Sequence, residues 1–235
     1  MAGLFAGTAE NTFSGEDEFG ELMTNRNLDY RRVSGVFGLE SENWNLNLSH
    51  VSRESGAGTY YAGEARQTDH FSLAAFDTAW DWAKLEASYL HWMNRYTNGF
   101  SHVDDTHHNH NLSVTLSGAL ESRLIHVDLS LMSESLAAQS SKYGEPFEER
   151  IKLQTTALLR PGSWEWEIAL NQLLSSRHSY HPIPSSALAY NILPGLQLFG
   201  SIARAFRLPS FNDLYWPMDG FATGNTNLKP EDGLA

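Results

Sequence analysis

Apolar residues recur at every second position through most of this chain, and that period admits few folds. Leu112, Val114, Leu116 and Leu120 alternate with Asn111, Ser113, Thr115 and Ser117. Ile125, Val127, Leu129 and Leu131 alternate with His126, Asp128 and Ser130. The pattern returns at Ile151 to Leu159, at Trp164 to Leu170 and at Trp44 to Leu48. A period of two gives a strand one apolar and one polar face. Helical spacing finds no apolar stripe in the same residues, and their Asp, Asn, Ser and Thr content disfavours a helix. Weaker alternation marks Tyr30 to Leu39, His70 to Trp80, Trp82 to Trp92, Ser186 to Ile192 and Leu196 to Phe206. The alternation rule gives about ten strands in all.

The connections carry a second period. Short ones fall at Glu40–Asn43, around Asp81, at Glu121–Arg123, at Arg160–Ser163 and at Leu193–Gly195. Between them the alternation predicts long ones at Ser52–Asp69, Asn94–His110, Ser133–Glu148 and Gln172–Ser185, and again after Arg207. A soluble sandwich has no reason to put every long connection at one end of its strands, whereas an antiparallel transmembrane β-barrel does. Trp44, Trp80, Trp82, Trp164 and Trp166 lie close to the short turns, as one interfacial girdle would. Lys84, Glu86, Asp128, Arg150, Lys152, Glu165 and Glu167 share the polar phase. A cation facing lipid at mid-bilayer costs about 2–4 kcal/mol, so this phase is expected to face a wet lumen.

Composition narrows the function. The net charge is −12 and no basic patch offsets it, which disfavours a nucleic-acid partner. The chain has no cysteine, hence no disulfide, thiolate metal site or cysteine nucleophile. Mean hydropathy is −0.37, and no apolar run approaches the roughly 20 residues of a spanning helix. Gly-x-Ser-x-Gly, His-Glu-x-x-His and phosphate-loop patterns are all missing, so nothing points to an enzyme or a cofactor. The ends read as internal to a longer protein. Met1 to Gly7 lacks the basic start of a signal peptide, and Pro230 to Ala235 reads as a turn leading onward.

Two groups of residues are candidates for binding. His102, His107, His108 and His110, with Asp104 and Asp105, fall in one expected long loop, where imidazole and carboxylate suit a transition metal; the same composition also suits a solvated external loop. Tyr96, Tyr180, Tyr215 and Trp216, with Tyr60, Tyr61, Phe100, Tyr143 and Phe221, fall in the expected long connections. Such rings can pack against a flat ligand, or equally against each other as the loops fold.

The most specific stretch is Phe206-Arg207-Leu208-Pro209 through Asp213-Leu214-Tyr215, followed by Gly224-Asn225-Thr226-Asn227-Leu228-Lys229-Pro230-Glu231. Pro209 and Pro230 cannot donate to a ladder and end strands, and Gly224-Asn225 is a turn dipeptide. By alternation the chain leaves the sheet at Phe206, and the following strand is expected to lie beyond Ala235. This stretch resembles the barrel of TonB-dependent outer-membrane receptors at Phe206, Arg207, Pro209, Phe211, Asp213, Leu214, Tyr215, Gly224, Asn225, Leu228, Pro230 and Glu231. Thr226 stands where the family has proline. The match covers roughly the last thirty residues; elsewhere only strand and loop patterns agree.

The resemblance implies a location in the outer membrane, in contact with its lipid, and a barrel of about 22 strands. It also implies a plug domain that engages the TonB complex, and a scarce cargo such as a ferric siderophore, another metal chelate or a corrinoid. Residues 1–235 would then be part of such a barrel, with the plug and the C-terminal strands outside the sequence. A piece of this kind leaves two sheet edges unpaired and is not expected to be stable alone in lipid. Haem receptors of the family carry a histidine between two boxes like Phe206-Arg207-Leu208-Pro209 and Asn225-Thr226-Asn227-Leu228; none lies between them here. A porin, a barrel hydrolase and a soluble glycan-binding domain remain as alternatives.

Overall fold

The computed structural model describes residues 2–9, 13–16, 22–25, 29–56, 65–99, 102–217 and 222–235. Its strands are β1 (Ala2–Ala9), β2 (Phe13–Glu16), β3 (Leu22–Asn25), β4 (Tyr30–Glu40), β5 (Trp44–Gly56), β6 (Arg66–Ala79) and β7 (Lys84–Asn98). They continue with β8 (Val103–Glu121), β9 (Ile125–Ser140), β10 (Phe147–Leu159), β11 (Trp164–Ser175), β12 (Ser179–Leu193), β13 (Leu196–Arg207) and β14 (Glu231–Leu234), with one short helix, α1 (Phe211–Tyr215), after β13. Twelve strands form one sheet in the order β1-β4-β5-β6-β7-β8-β9-β10-β11-β12-β13-β14, and β2 pairs β3 separately. Apart from β2–β3, each strand neighbours its predecessor, as a meander of hairpins requires.

Contacts divide the chain into two compact units. The first comprises Met1–Phe76, Ser88–Asn111 and Ala137–Pro146. There the antiparallel register sets Phe37 opposite Leu48 and Leu39 opposite Leu46, on the face that also carries Trp44. The second unit comprises Asp77–Ala87, Leu112–Leu136 and Phe147–Ala235. Its registers set Ala157 opposite Ile168, Trp166 opposite Leu188, and Ser186 opposite Ile202 on one face. The other face pairs Arg150 with Ser175, Lys152 with Leu173 and Gln154 with Asn171.

Burial separates a membrane sheet from a soluble one. Among the described residues the buried apolar side chains are Ala65, Ala83, Ala138, Ala169, Leu173 and Leu214. The alternating rows stay open: Leu131 is 48 %, Ile151 47 % and Ile202 53 % exposed. A sandwich or a glycan-binding domain would bury those rows under a second layer. A sheet whose apolar face meets acyl chains needs no such layer.

The short turns fall where the sequence places them, within a residue. Gly162 and Gly195 adopt φ of 67° and 87°, which their tight reversals require. The expected long connections are corrected. β7 runs to Asn98 and β8 begins at Val103, while β9 and β10 run to a tip at 141–146 and β11 and β12 to a tip at 176–178. A bilayer needs about 9–11 residues per strand, whereas β7, β8 and β9 have 15, 19 and 16. Polar cross-strand contacts carry the ladders past the apolar band. Arg95 donates to both Asp104 oxygens at 2.8 and 2.6 Å. At the 176–178 tip, Ser175 Oγ accepts from the backbone N–H of Arg177 and of His178, each at 3.1 Å.

One further expectation changes, and a segment that the alternation does not mark joins the sheet. The strand after the motif begins inside the chain, because β14 pairs Glu231 with Arg207 and Leu234 with Arg204. Ala2–Ala9, where glycine and alanine blur any alternation, forms β1, with Leu4 opposite Gly35.

Candidate functional site

The polar face of the second unit gathers a connected set of charges. Glu148, on β10, is fully buried. Arg150, two residues on and so on the same face, donates to both Glu148 oxygens at 2.8 and 2.9 Å. Ser175, opposite Arg150 on β11, donates to Glu148 Oε1 at 2.7 Å. Glu134, on β9, accepts from Lys152 Nζ at 3.0 Å and lies 3.7 Å from Arg150 Nη1. Two carboxylates and two cations therefore neutralise each other on one wall. Beside them opens a recess of about 590 Å³, lined by Thr115, Met132, Lys152, Gln154, Asn171 and Arg207 among others. Its lining mixes these amide, cationic and thioether groups with apolar Leu173, Ile183, Phe206 and Leu208, so it offers contacts to both the polar and the apolar parts of a large solute.

The motif stretch folds into a clasp beside this recess. Ser210 caps α1: its Oγ accepts from Asp213 N while Asp213 Oδ2 accepts from Ser210 N, a reciprocal capping box. The Ser210 backbone N–H, then its hydroxyl and Arg207, hold the Asp213 carboxyl below its usual range. Arg207 donates to both Glu231 oxygens at 3.0 and 2.5 Å and reaches Asp213 at 3.4 Å. Asn225 N donates to Asp213 O, and Asn225 Oδ1 accepts from Asn227 N, each at 2.9 Å. Gly224 packs directly on the helix end: a Cβ there would sit 2.5 Å from Trp216 N and 2.7 Å from Tyr215 N. Leu214 is buried beneath. Arg177, at the 176–178 tip, donates to Phe147 O at 2.9 Å and to Tyr215 Oη, and faces the rings of Phe211 and Tyr215. The motif is thus a structural clasp of arginines, capping groups and one obligatory glycine.

The structure disperses the sequence-predicted binding residues. His102, directly before β8, has φ 53°. His107, His108 and His110 lie on β8 rather than in a loop. Alternation sends His107 to the face opposite the other two; it meets Ser140 Oγ at 2.8 Å and stacks with Tyr143 at 5.7 Å. Among the described residues no three His, Asp or Glu groups are set to hold a metal ion. Tyr96 lies on β7 in the first unit; Tyr180 on β12, Tyr215 on α1 and Trp216 at its C-cap lie in the second. Tyr180 Oη donates to Gln172 at 2.9 Å. Tyr60, Tyr61, Phe100 and Phe221 lie outside the described residues. Glu134, Glu148, Ser175 and Arg177 were not singled out by the sequence. Their only signal is a charge or hydroxyl on the polar phase, and register alone reveals their partners.

Comparison with known proteins agrees with this geometry. A family model described as TonB dependent receptor-like, beta-barrel, matches residues 3–234. The vitamin B12 transporter BtuB of Photobacterium profundum is 29 % identical over 99 residues, covering 42 % of this chain and 16 % of that protein. The siderophore receptor PirA of Pseudomonas aeruginosa superposes with a TM-score of 0.71 at 15 % identity, over 99 % of this chain and 44 % of PirA. A variant of the ferric enterobactin receptor PfeA from the same organism gives 0.61 at 10 % identity, over 80 % of this chain and 34 % of PfeA. The chain therefore spans less than half the length of each relative.

Proposed function

We propose, because the chain belongs to the TonB-dependent receptor β-barrel family of the outer membrane, that the receptor containing it imports a large, scarce nutrient such as a ferric siderophore or cobalamin. The family consists of transporters, not enzymes. The observation that carries the reading is the two-faced sheet. One face bears open leucine, isoleucine and tryptophan rows for lipid; the other bears the Glu134, Glu148, Arg150 and Lys152 network beside the recess. Paired charges keep that wall wet without holding a passing solute tightly, as a route requires.

The energy for such import comes, in this reading, from the TonB complex acting through a plug domain. The cargo remains within the class of metal chelates and corrinoids. The test is uptake of radiolabelled cobalamin and of a labelled ferric catecholate by cells with and without the receptor. Uptake of one solute is expected to depend on the receptor and to vanish when the TonB complex is inactivated. Receptor-dependent uptake that survives TonB inactivation would instead mark a passive porin and overturn the proposal.

A further inference from the structure

The apolar face of the first unit carries a band of five histidines. On β5, His50 follows Trp44, Leu46 and Leu48 in the same phase; on β6, His70 shares its phase with Ala74 and Phe76. On β7, His91 shares its phase with Tyr89; on β8, His108 and His110 share one phase. The rings form two touching groups. His50 and His70 stack at 5.8 Å, His91 and His110 at 4.6 Å, and His91 and His108 at 5.4 Å. His91 Nε2 lies 3.1 Å from His108 Nδ1, so one ring donates to the other. Tyr89 Oη meets His110 Nδ1 at 2.7 Å, and Ser72 Oγ meets His50 Nδ1 at 2.8 Å.

The band has a fixed level on its face. On the turn side lie the open apolar rows and the Trp44–Phe76 stack. On the far side, in the same phases, lie ion pairs: Arg66 with Glu54 and Asp29, each at 2.7 Å, and Arg95 with Asp104. Histidine thus occupies the step from hydrocarbon-facing to fully charged surface, where lipid headgroups sit.

From this juxtaposition we propose that His50, His70, His91, His108 and His110 form a docking band for the phosphate of an outer-leaflet lipid headgroup, tightening as the medium acidifies. The apolar rows directly beneath would take the acyl chains of the same molecule, which selects a lipid over free phosphate. Among the described residues the carboxylates nearest the band are already paired with arginines. Arg31 on β4 faces Glu54, and with Arg66, Arg95, Asp29, Glu54 and Asp104 the neighbouring charges sum to zero. β9 presents Ser135, Ala137 and Gln139 in its apolar phase. Among the described residues no carboxylate bonds to the five rings, in contrast to His126, which sits between Glu121 and Asp128. A ring pair that already shares a proton bond accepts a further proton without losing its contact. Histidine is the side chain whose charge most readily responds to mild acid.

The test uses the intact receptor in detergent, titrated with bicelles of phosphatidylcholine or of phosphatidylcholine with phosphatidylglycerol, whose phosphodiester keeps its charge throughout. Between about pH 7.5 and pH 5.5 the affinity for the anionic bicelles is expected to rise about fivefold for each charge gained. His91→Gln with His108→Gln should reduce that rise while the receptor keeps its melting behaviour; His50→Gln alone, at the exposed end of the band, should reduce it less. An undiminished rise in the double variant would overturn the proposal. So would an equal rise with neutral bicelles, competition by inorganic phosphate, or abolition by a metal chelator, which would mark a metal site instead. Because lipid binding is read without transport, failure here leaves the uptake proposal standing.

Discussion

The polar face of the second unit and the histidine band of the first place polar groups on one kind of strand, yet they differ in how those groups are satisfied. Glu148, Arg150, Ser175, Glu134 and Lys152 close on one another with charge-assisted bonds of 2.7–3.0 Å. Among the described residues the five rings of the band meet other rings, a tyrosine and a serine, and no carboxylate bonds to them. The first arrangement is closed by its own paired charges and serves as scaffold. The second, in the proposal above, takes up protons and a lipid phosphate. Phase along the strand decides which outcome a polar residue has: inward it finds other chains of the wall, outward it finds lipid.

The largest expected effect comes from unlocking the wall. Arg150→Ala leaves Glu148 buried without its cation, which typically costs about 3–5 kcal/mol. Equilibrium unfolding of the intact receptor in detergent should show that loss. Replacing both partners, Arg150→Met with Glu148→Leu, should restore most of it, since a well-packed apolar pair is often as stable as a buried ion pair. If the double variant stays as weak as Arg150→Ala, the wall contributes something other than a closed pair.

Next is the clasp. Gly224→Ala forces a Cβ against Trp216 N, Tyr215 N and Leu214 C, which are backbone atoms that cannot rotate away. Overpacking of this kind costs about 1–3 kcal/mol. The damage should be local: faster protease cleavage within 208–230, with an unchanged global melting point. A smaller effect follows from acid. The Asp213 carboxyl is held below its usual range, so the capping box is intact above about pH 4 and weakens as pH falls below that value. Amide exchange at Asp213 and Asn225 should accelerate there, opposite in direction to the acid-strengthened lipid binding of the histidine band. Loss of both behaviours in the same pH range would mean that the two regions are not independent.

The fold was legible because lipid imposes a strict period on each strand. Trp44, Leu46 and Leu48, or Ile151 to Leu159, have no partner to compensate for a wrong phase, so their alternation is clean. The hairpins beyond the apolar band were not legible. At Arg95 and Asp104, or at Ser175 and Arg177, both faces are polar, and the strand persists through cross-strand bonds that a single segment does not announce. The clasp was visible as a motif, yet its logic needed coordinates: Gly224 reads as a turn residue, whereas its contact with the end of α1 is what excludes a side chain. The histidine band was half visible. His108 and His110 stood out with His107, but His50, His70 and His91 come from three other strands, and only the sheet order joins them.

The smallest effect tests whether burial, rather than bond geometry, separates locked from open. Arg95 meets Asp104 through the same two-bond fork that Arg150 makes with Glu148, at 2.8 and 2.6 Å. Both partners of the outer pair are half exposed, at 51 and 55 % of their side chains, whereas Glu148 is wholly enclosed. Water and salt screen the exposed fork, and holding two long side chains in place opposes what attraction remains. Arg95→Ala should therefore leave the unfolding transition of the receptor unchanged within error, at low and at physiological salt alike. A loss comparable to that of Arg150→Ala would show that the fork itself carries the stability, and the contrast between an enclosed wall and an open outer surface would no longer explain why one region is fixed and the other responsive.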